Sequence, residues 1–185
     1  MHRQIRRLGL SAGMVLAMAA SAGAQVIPMS FEEIVTAADT IVVAEAIYSR
    51  AQWVTTGASR AIITRVTFRV TDTLKGLDRL LLPLEFRGGT IGDVSYEVSG
   101  VPTFELGDRA VLFVLAARVV SPIVGHMQGR FPINTAPDGI DYVTLPDRRA
   151  FSSVGQIGSP VLVSPAAIPT MTLTAFRDTI DQVVQ

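Results

Sequence analysis

Cysteine is absent from the 185-residue chain, and histidine occurs only at His2 and His126. The lack of cysteine excludes disulfide frameworks, thiolate zinc sites, iron–sulfur clusters and cysteine nucleophiles. Catalytic zinc usually takes three protein ligands rich in histidine, so the scarcity of histidine argues against such a site as well. We therefore expect no metal and no cofactor, and the sequence assigns no catalytic residue.

The chain also lacks an excess of charge of one sign, because 16 basic residues face 16 acidic ones. Three of the arginines lie within residues 1–24, which contain no acid. Without that segment thirteen basic groups face sixteen acidic ones, and the remaining domain is mildly acidic. Such a domain is not drawn electrostatically to phosphate backbones, so nucleic acid is not the expected partner.

Residues 1–24 have the organisation of a secretory signal peptide. A basic n-region is followed by an uncharged stretch over 8–20 and by small residues. The A-x-A spacing predicts cleavage between Ala24 and Gln25, with a cut after Ala22 as the alternative. The apolar stretch is too short to span the ~30 Å hydrocarbon core, and no later segment is long enough. We expect an exported chain, periplasmic or extracellular, with no membrane span after cleavage; Sec and twin-arginine export both stay open.

The rest of the chain has mainly the two-residue period of β-strands. A capping box formed by Ser30 and Glu33 predicts a short helix over 31–38, and Thr172 caps a predicted C-terminal helix over 172–185. Turn residues place a loop over 50–60. The predicted strands are 41–48, 62–74, 80–86, 94–98, 109–117, 123–133 and 140–145. Closely spaced short strands with a helix at each end predict a mainly-β fold, a small barrel or closed sheet.

Four segments carry a resemblance to a known family. They are 38–43, 67–76, 80–86 and 107–113. Their order resembles the oligonucleotide/oligosaccharide-binding (OB) barrel of the netrin-like domains, which include the tissue inhibitors of metalloproteinases. The resemblance implies a small OB-like closed barrel. It does not carry over the inhibitory mechanism, because those inhibitors chelate zinc through an N-terminal cysteine that this chain lacks.

The stretch 100–113, together with Gln128-Gly129-Arg130-Phe131, is also similar to a recurring secreted bacterial domain of unknown function. The predicted organisation is a signal peptide over 1–24 and a barrel over 25–145. An irregular surface segment rich in proline follows over 146–171. The last part, 172–185, is the helix that docks on the barrel.

Trp53, Arg65 and Arg69 form the candidate binding group. OB barrels bind with the loop between strands one and two and with the face of strands two and three. Trp53 lies in that predicted loop, and Arg65 and Arg69 form an outward row with Thr67. An aromatic ring near guanidinium groups can stack on a base, a sugar or a partner's side chain. The simpler alternative is a tryptophan that packs over the barrel end beside an ordinary solvated row.

His126 is the candidate for an alternative, enzymatic function. A nucleophile–base–acid triad in the exported chain has to use it, yet no G-x-S-x-G elbow is present. His126 lies in a predicted strand, where a structural or merely exposed histidine is the simpler interpretation. Glu85, Glu97 and Glu105 are interpreted as solvent-facing acids. The glycines of 88–92 are interpreted as a hairpin loop.

The leading hypothesis is a non-catalytic, extracytoplasmic binding or interaction domain. Its partner is an unknown protein, with a protease or another envelope protein suggested by analogy alone. The alternatives are a hydrolase that uses His126, and oligonucleotide or oligosaccharide binding on the barrel face. The oligomeric state is left open.

Overall fold

The computed structural model describes residues 27–117, 120–159 and 170–185. The predicted signal peptide and its cleavage site at Ala24–Gln25 lie outside these residues. The described part is mainly β, as the sequence predicts. Its elements are α1 (Phe31–Ala37), β1 (Thr40–Thr56), β2 (Ser59–Lys75), β3 (Leu81–Arg87), β4 (Gly89–Ile91), β5 (Val94–Tyr96), β6 (Arg109–Val114), β7 (Arg130–Thr135), β8 (Asp141–Val143), a short 3₁₀ helix (Val154–Gln156) and α2 (Leu173–Val184).

Six strands form an antiparallel sheet in the order β3-β2-β1-β6-β7-β8, and β4 and β5 form a separate hairpin. Strand β3 lies at one edge of this sheet. Its Pro83 has no amide hydrogen, and an edge strand tolerates this because it has no second neighbouring strand to bind. Strand β6 is buried almost throughout, as its continuous apolar sequence predicts. The Asp138-Gly139 turn joins β7 to β8, with the Ile140 amide donating to Asp138 Oδ1 over 2.9 Å.

Two apolar clusters lie on opposite faces of the sheet. The inner cluster lies on the face away from the helices, with Phe68, Phe86 and Phe104 at its centre. The outer cluster lies between the sheet and the helices. Alternate residues of β1 and β6 belong to different clusters, so that Val42 faces inward and Val43 outward. These two strands are apolar on both faces for that reason.

Both helices cover the outer face. Ser30 and Glu33 form the predicted capping box of α1. The hydroxyl of Thr172 accepts from the Ala175 amide at the start of α2, which confirms the predicted cap. Phe176 of α2 is fully buried, and its ring packs against those of Phe31, Phe113, Phe131 and Phe151. Among the described residues, no helix has the length and apolarity needed to cross a membrane.

The expected closure of the barrel is not found in the described residues. Beyond β3 lies the segment 120–123, which contacts β6 through the Val114–Ile123 bridge. Within the described ranges, one backbone hydrogen bond, from the Arg87 amide to the Val120 carbonyl over 3.1 Å, joins this segment to β3. No ladder of described residues continues from that bond, and the sheet of the described strands is open. One physical reason is Pro83, which has no amide to donate in the middle of the free edge.

The structure corrects three local predictions. The prediction of a loop over 50–60 is wrong, because β1 and β2 are each 17 residues long and are separated only by a turn at Gly57. The strand predicted over 123–133 begins only at Arg130, and 124–129 are turns. Within the predicted hairpin loop 88–92, Gly89–Ile91 is itself a strand that pairs with β5.

The segment 146–159 is irregular apart from its 3₁₀ helix. It does not lie wholly on the surface, because part of it packs into the core. Phe151 and Ile157 are buried in the outer cluster. The Met171 amide donates to the Phe151 carbonyl over 3.2 Å, which fixes the start of α2 against this segment. The central part of the predicted irregular segment lies outside the described residues.

Candidate binding surface

The distal half of the β1–β2 hairpin, residues 48–65, projects from the sheet, and we call it the arm. Strand β3 pairs with β2 only between Ile63 and Arg69, so most of the arm is a two-stranded ribbon. A two-residue turn at Gly57-Ala58 reverses the chain between the Thr56–Ser59 pair. Gly57 has a φ of +60°, which tight hairpin turns require and glycine adopts without strain.

The exposed ribbon explains why the sequence predicts a loop here. Small polar residues dominate 55–60, and the ribbon has little apolar surface to bury. Period-two alternation therefore fades, although β-branched residues continue through Val54 and Thr55. The ladder itself is regular, with Trp53 opposite Ile62 and Thr55 opposite Arg60.

Trp53 and Arg60 stack on the arm. The Arg60 guanidinium carbon lies 4.1 Å from the centroid of the indole ring. At exposed sites a cation–π contact of this kind contributes about 0.5–1 kcal/mol. Trp53 keeps 39% of its surface exposed, so the ring remains accessible from the solvent side.

The structure does not bring the predicted group of Trp53, Arg65 and Arg69 together. Trp53 lies opposite Ile62 and so shares its face of the ladder. Arg65 and Arg69 are an odd number of residues from Ile62, and successive side chains of a strand point to opposite faces. The outward row of Arg65, Thr67 and Arg69 is confirmed, with both arginines exposed.

Tyr48 and Arg50 lie beside this row, and sequence reasoning missed them. Tyr48 is paired with Thr67 and Arg50 with Arg65, which places all four side chains on one face. Tyr48 is 49% exposed. The two-residue spacing of Tyr48 and Arg50 indicated that both lie on one face of a strand. Their cross-strand neighbours could not be predicted, because the bulge between Ala46 and Tyr48 fixes the register.

Two of the arginines in this face have carboxylate partners. Arg65 pairs with Glu85 of β3, and Arg69 donates to Glu45 over 2.7 Å. Arg50 has neither an ion pair nor a side-chain hydrogen bond within the described part of the chain. Its cross-strand neighbour is another arginine, a juxtaposition that destabilises a ladder. The unpaired guanidinium is therefore available to an outside partner.

The charge of the arm differs from that of the remaining chain. The arm, residues 48–65, contains three arginines, Arg50, Arg60 and Arg65, and no acidic residue. Outside the arm, residues 25–185 hold ten basic residues against sixteen acidic ones. The arm is therefore a basic projection on an acidic domain.

A bidentate ion pair between Arg109 and Asp141 lies on the outer face of the sheet. Arg109 donates to both carboxylate oxygens of Asp141 over 2.9 and 2.6 Å, and Thr135 adds a hydrogen bond of 2.7 Å. The hydrogen bond from Arg109, followed by that from Thr135, holds the pKa of Asp141 below its usual range. The same contact raises the pKa of Arg109. This pair braces β6 against β7 and β8.

His126 lies in the turn 124–129 rather than in the predicted strand. Its φ is +65°, and its side chain is exposed. The Ser121 hydroxyl donates to the backbone carbonyl of His126 over 2.6 Å and not to the imidazole ring. In the described ranges, the imidazole therefore has no serine partner for a triad. Glu85, the first of the three candidate acids, is engaged with Arg65.

A cavity of about 500 Å³ opens between the inner face of the sheet and the β4–β5 hairpin. Phe86 and Phe104 form part of its apolar lining, and Thr90, Ser95 and Glu97 lie among its polar residues. Across the parts of the chain that the structure describes, no three His, Asp or Glu side chains are grouped to hold a metal ion.

No family model matches the chain, and comparison with curated proteins and with solved structures finds no significant match.

Proposed function

We propose that this chain is an exported, non-catalytic interaction domain that binds an acidic surface of a partner protein through its arm. The single observation that carries the proposal is the segregation of charge, three arginines without an acid on the arm of an otherwise acidic domain. An OB-like architecture, with a nearly closed sheet and two helices on its outer face, is part of the same proposal.

The exposed side chains of the arm support a protein partner. Interfaces are enriched in tyrosine, tryptophan and arginine. The arm presents Tyr48 beside Arg50 on one face and Trp53 beneath Arg60 on the other. A partner that contacts both faces can desolvate these groups, which strengthens the electrostatic attraction.

The charge asymmetry also predicts the kinetics of association. A basic projection steers an acidic partner toward the arm, and the association rate falls as salt screens the charges. The acidic remainder of the domain repels an acidic partner. Binding is therefore directed to the arm rather than to the helix-covered side.

Site-specific photocrosslinking in the native host tests this proposal. A photoreactive phenylalanine analogue replaces the exposed Thr55 on the arm or, as the control, the half-buried Thr179 of α2. We expect a discrete protein adduct from position 55 and none from position 179. The double change R50E/R60E should reduce the adduct at least tenfold, whereas R79E, which alters an exposed arginine at the opposite end of β2, should preserve it.

Three results contradict the proposal. The first is equal crosslinking from positions 55 and 179, and the second is an adduct that survives R50E/R60E unchanged. The third is an adduct that disappears on nuclease treatment, which assigns the arm to nucleic acid instead of protein.

A further inference from the structure

We infer that Arg50 and Arg65 together bind a single carboxylate of the partner protein, and that Arg50 is the residue that recognises it. The site consists of Arg50, Arg65 and Glu85, one residue from each of β1, β2 and β3, and we call it the arginine row. This site lies on the arm and rests on the function proposed above, to which it adds the chemical group that is bound.

Strand pairing holds the arginine row together. Arg50 is paired with Arg65, and Arg65 is paired with Glu85. Directly opposed residues of antiparallel strands have Cβ atoms about 4.5–5.5 Å apart and side chains on the same face. Strand β6 pairs with β1 only from Thr40 to Glu45, so no described strand pairs with β1 on the other side of Arg50. The row therefore ends at Arg50 and is open there to a partner.

The two arginines use their hydrogen-bond donors unequally. Arg65 directs Nε and Nη2 to one oxygen of Glu85, with the Nε contact at 3.1 Å. Its Nη1 group has no partner in the described ranges, and the Arg50 guanidinium has none at all there. A guanidinium carries five N–H donors in a planar fork that matches a carboxylate in a bidentate manner. The row thus offers one whole fork and part of a second.

The charge of the row favours a carboxylate over a dianion. Two arginines and one glutamate give the row a net charge of +1. Arg69, the next arginine along β2 on this face, is already paired with Glu45. One carboxylate brings the row to zero net charge, in the order acid, arginine, arginine, acid. A phosphate monoester carries nearly two negative charges and would leave an excess close to Glu85.

Two neighbours limit what the site can bind. Arg87 lies on the same face, but it belongs to β3, so two strand spacings of about 10 Å in total separate it from Arg50. A carboxylate at Arg50 is therefore beyond its direct reach. Tyr48 precedes Arg50 by two residues on the same face, and 49% of its surface is exposed. Its ring can pack against an apolar group, so the expected ligand is an acidic residue beside an apolar one.

The unliganded domain gains nothing from Arg50. Two arginines directly opposite each other destabilise a ladder, and a bound carboxylate relieves this repulsion. Arg60 is the matched control on the same arm, because its guanidinium stacks on Trp53 and so stabilises the fold. We expect R50Q to raise the midpoint of thermal unfolding by about 1–3 °C, and R60Q to lower it.

Binding is measured with three end-capped peptides that differ at one position, which holds glutamate, glutamine or phosphoserine, with phenylalanine beside it. The Nε–H resonances of the arginines in the full chain are followed by nuclear magnetic resonance during each titration. We expect the glutamate peptide to shift the resonances of Arg50 and Arg65 most, and the glutamine peptide to leave them unchanged. R50Q should bind the glutamate peptide at least tenfold more weakly, whereas R60Q should bind it within twofold of the unsubstituted chain.

Equal behaviour of the glutamate and glutamine peptides overturns the inference, as does equal affinity of R50Q and R60Q. Tighter binding of the phosphoserine peptide assigns the row to a phosphorylated group and rejects the carboxylate. A lower thermal midpoint of R50Q means that Arg50 is already satisfied within the domain, and this rejects the site too.

The crosslink from position 55 separates failure of this site from failure of the proposed function. An adduct that persists in R50Q and disappears in R60Q rejects the arginine row and leaves the interaction through the arm in place. A glutamate peptide that binds at Arg50, without any protein adduct from position 55, supports the row and rejects the proposed function.

Discussion

The carboxylate of Asp141 gives the described structure its clearest pH dependence. Three hydrogen bonds from Arg109 and Thr135 hold the pKa of Asp141 below its usual range. A group with a lower pKa in the folded state stabilises the fold fully above its unfolded pKa of about 3.9. That stabilisation is lost as the pH falls through the folded pKa. We expect D141N to lower the free energy of unfolding by about 1 kcal/mol at neutral pH, since the pair is partly solvent-screened.

Urea denaturation of the unsubstituted chain and of D141N, at neutral pH and at progressively lower pH, measures this contribution. The difference between the two proteins should shrink as the pH falls through the folded pKa of Asp141. D147N is the control, because Asp147 pairs with Arg149 at a more exposed site. Its effect should be a few tenths of a kcal/mol at most. A D141N difference that is the same at every pH contradicts the assigned role of the carboxylate.

At the scale of a single element, two glycines of the β4–β5 hairpin make a matched pair. Gly89 has a φ of +134°, and a Cβ at this position would overlap Thr64 Oγ1 and lie 3.2 Å from Ala51 Cβ. Gly92 has a φ of +58°, with no atom within 4 Å of an added Cβ. G92A should therefore cost about 1 kcal/mol of backbone strain. G89A adds a steric clash and should cost about 2–3 kcal/mol.

Hydrogen exchange over 89–96 and the thermal midpoint distinguish the two substitutions. G89A should release the hairpin from β1 and β2 and increase exchange throughout it, whereas G92A should act only near the turn. Equal effects of both substitutions mean that close packing at Gly89 does not hold the hairpin over the cavity.

Elements with local sequence signals were predicted correctly, whereas elements that depend on pairing with another strand were predicted poorly. Ser30 and Thr172 cap their helices as expected, because each cap needs only the next three residues. The arm was missed because the residues around Gly57 have turn chemistry, and the two strands stabilise each other across the ladder. The same limitation separated Trp53 from Arg65, since the face on which a side chain lies depends on strand register.

For the whole molecule, the mainly-β class was predicted from the two-residue period of the sequence. The burial of β6 on both faces was predicted from its continuous apolar run. The sequence also predicted a closed sheet, and this closure is not found among the described residues, because pairing at the edge depends on which backbone groups of β3 face outward. Pairing with β2 determines which backbone groups face outward, and it places Pro83, which has no amide hydrogen, among the residues that face the free edge. The candidate binding face was predicted in part. Arg65 and Arg69 share a face as expected, but the aromatic residue beside them is Tyr48 and not Trp53.

The two apolar clusters share β1 and β6, so the described domain should unfold as one cooperative unit. Phe176 tests this from the helix side, because it is fully buried and its ring centroid lies 5.0 Å from that of Phe131 and 5.5 Å from that of Phe31. F176A should lower the free energy of unfolding by about 3–5 kcal/mol. V184A, at a partly exposed position of the same helix, should change it by less than about 1 kcal/mol.

Two probes in one denaturation experiment report on opposite ends of the domain. Circular dichroism near 222 nm follows the helices, and fluorescence of Trp53, the sole tryptophan, follows the arm. If β1 transmits the loss of outer packing to the whole sheet, F176A moves both midpoints by the same amount. A helix transition that moves alone, with Trp53 unfolding where it does in the unsubstituted chain, means that the outer cluster melts separately from the arm and the inner cluster.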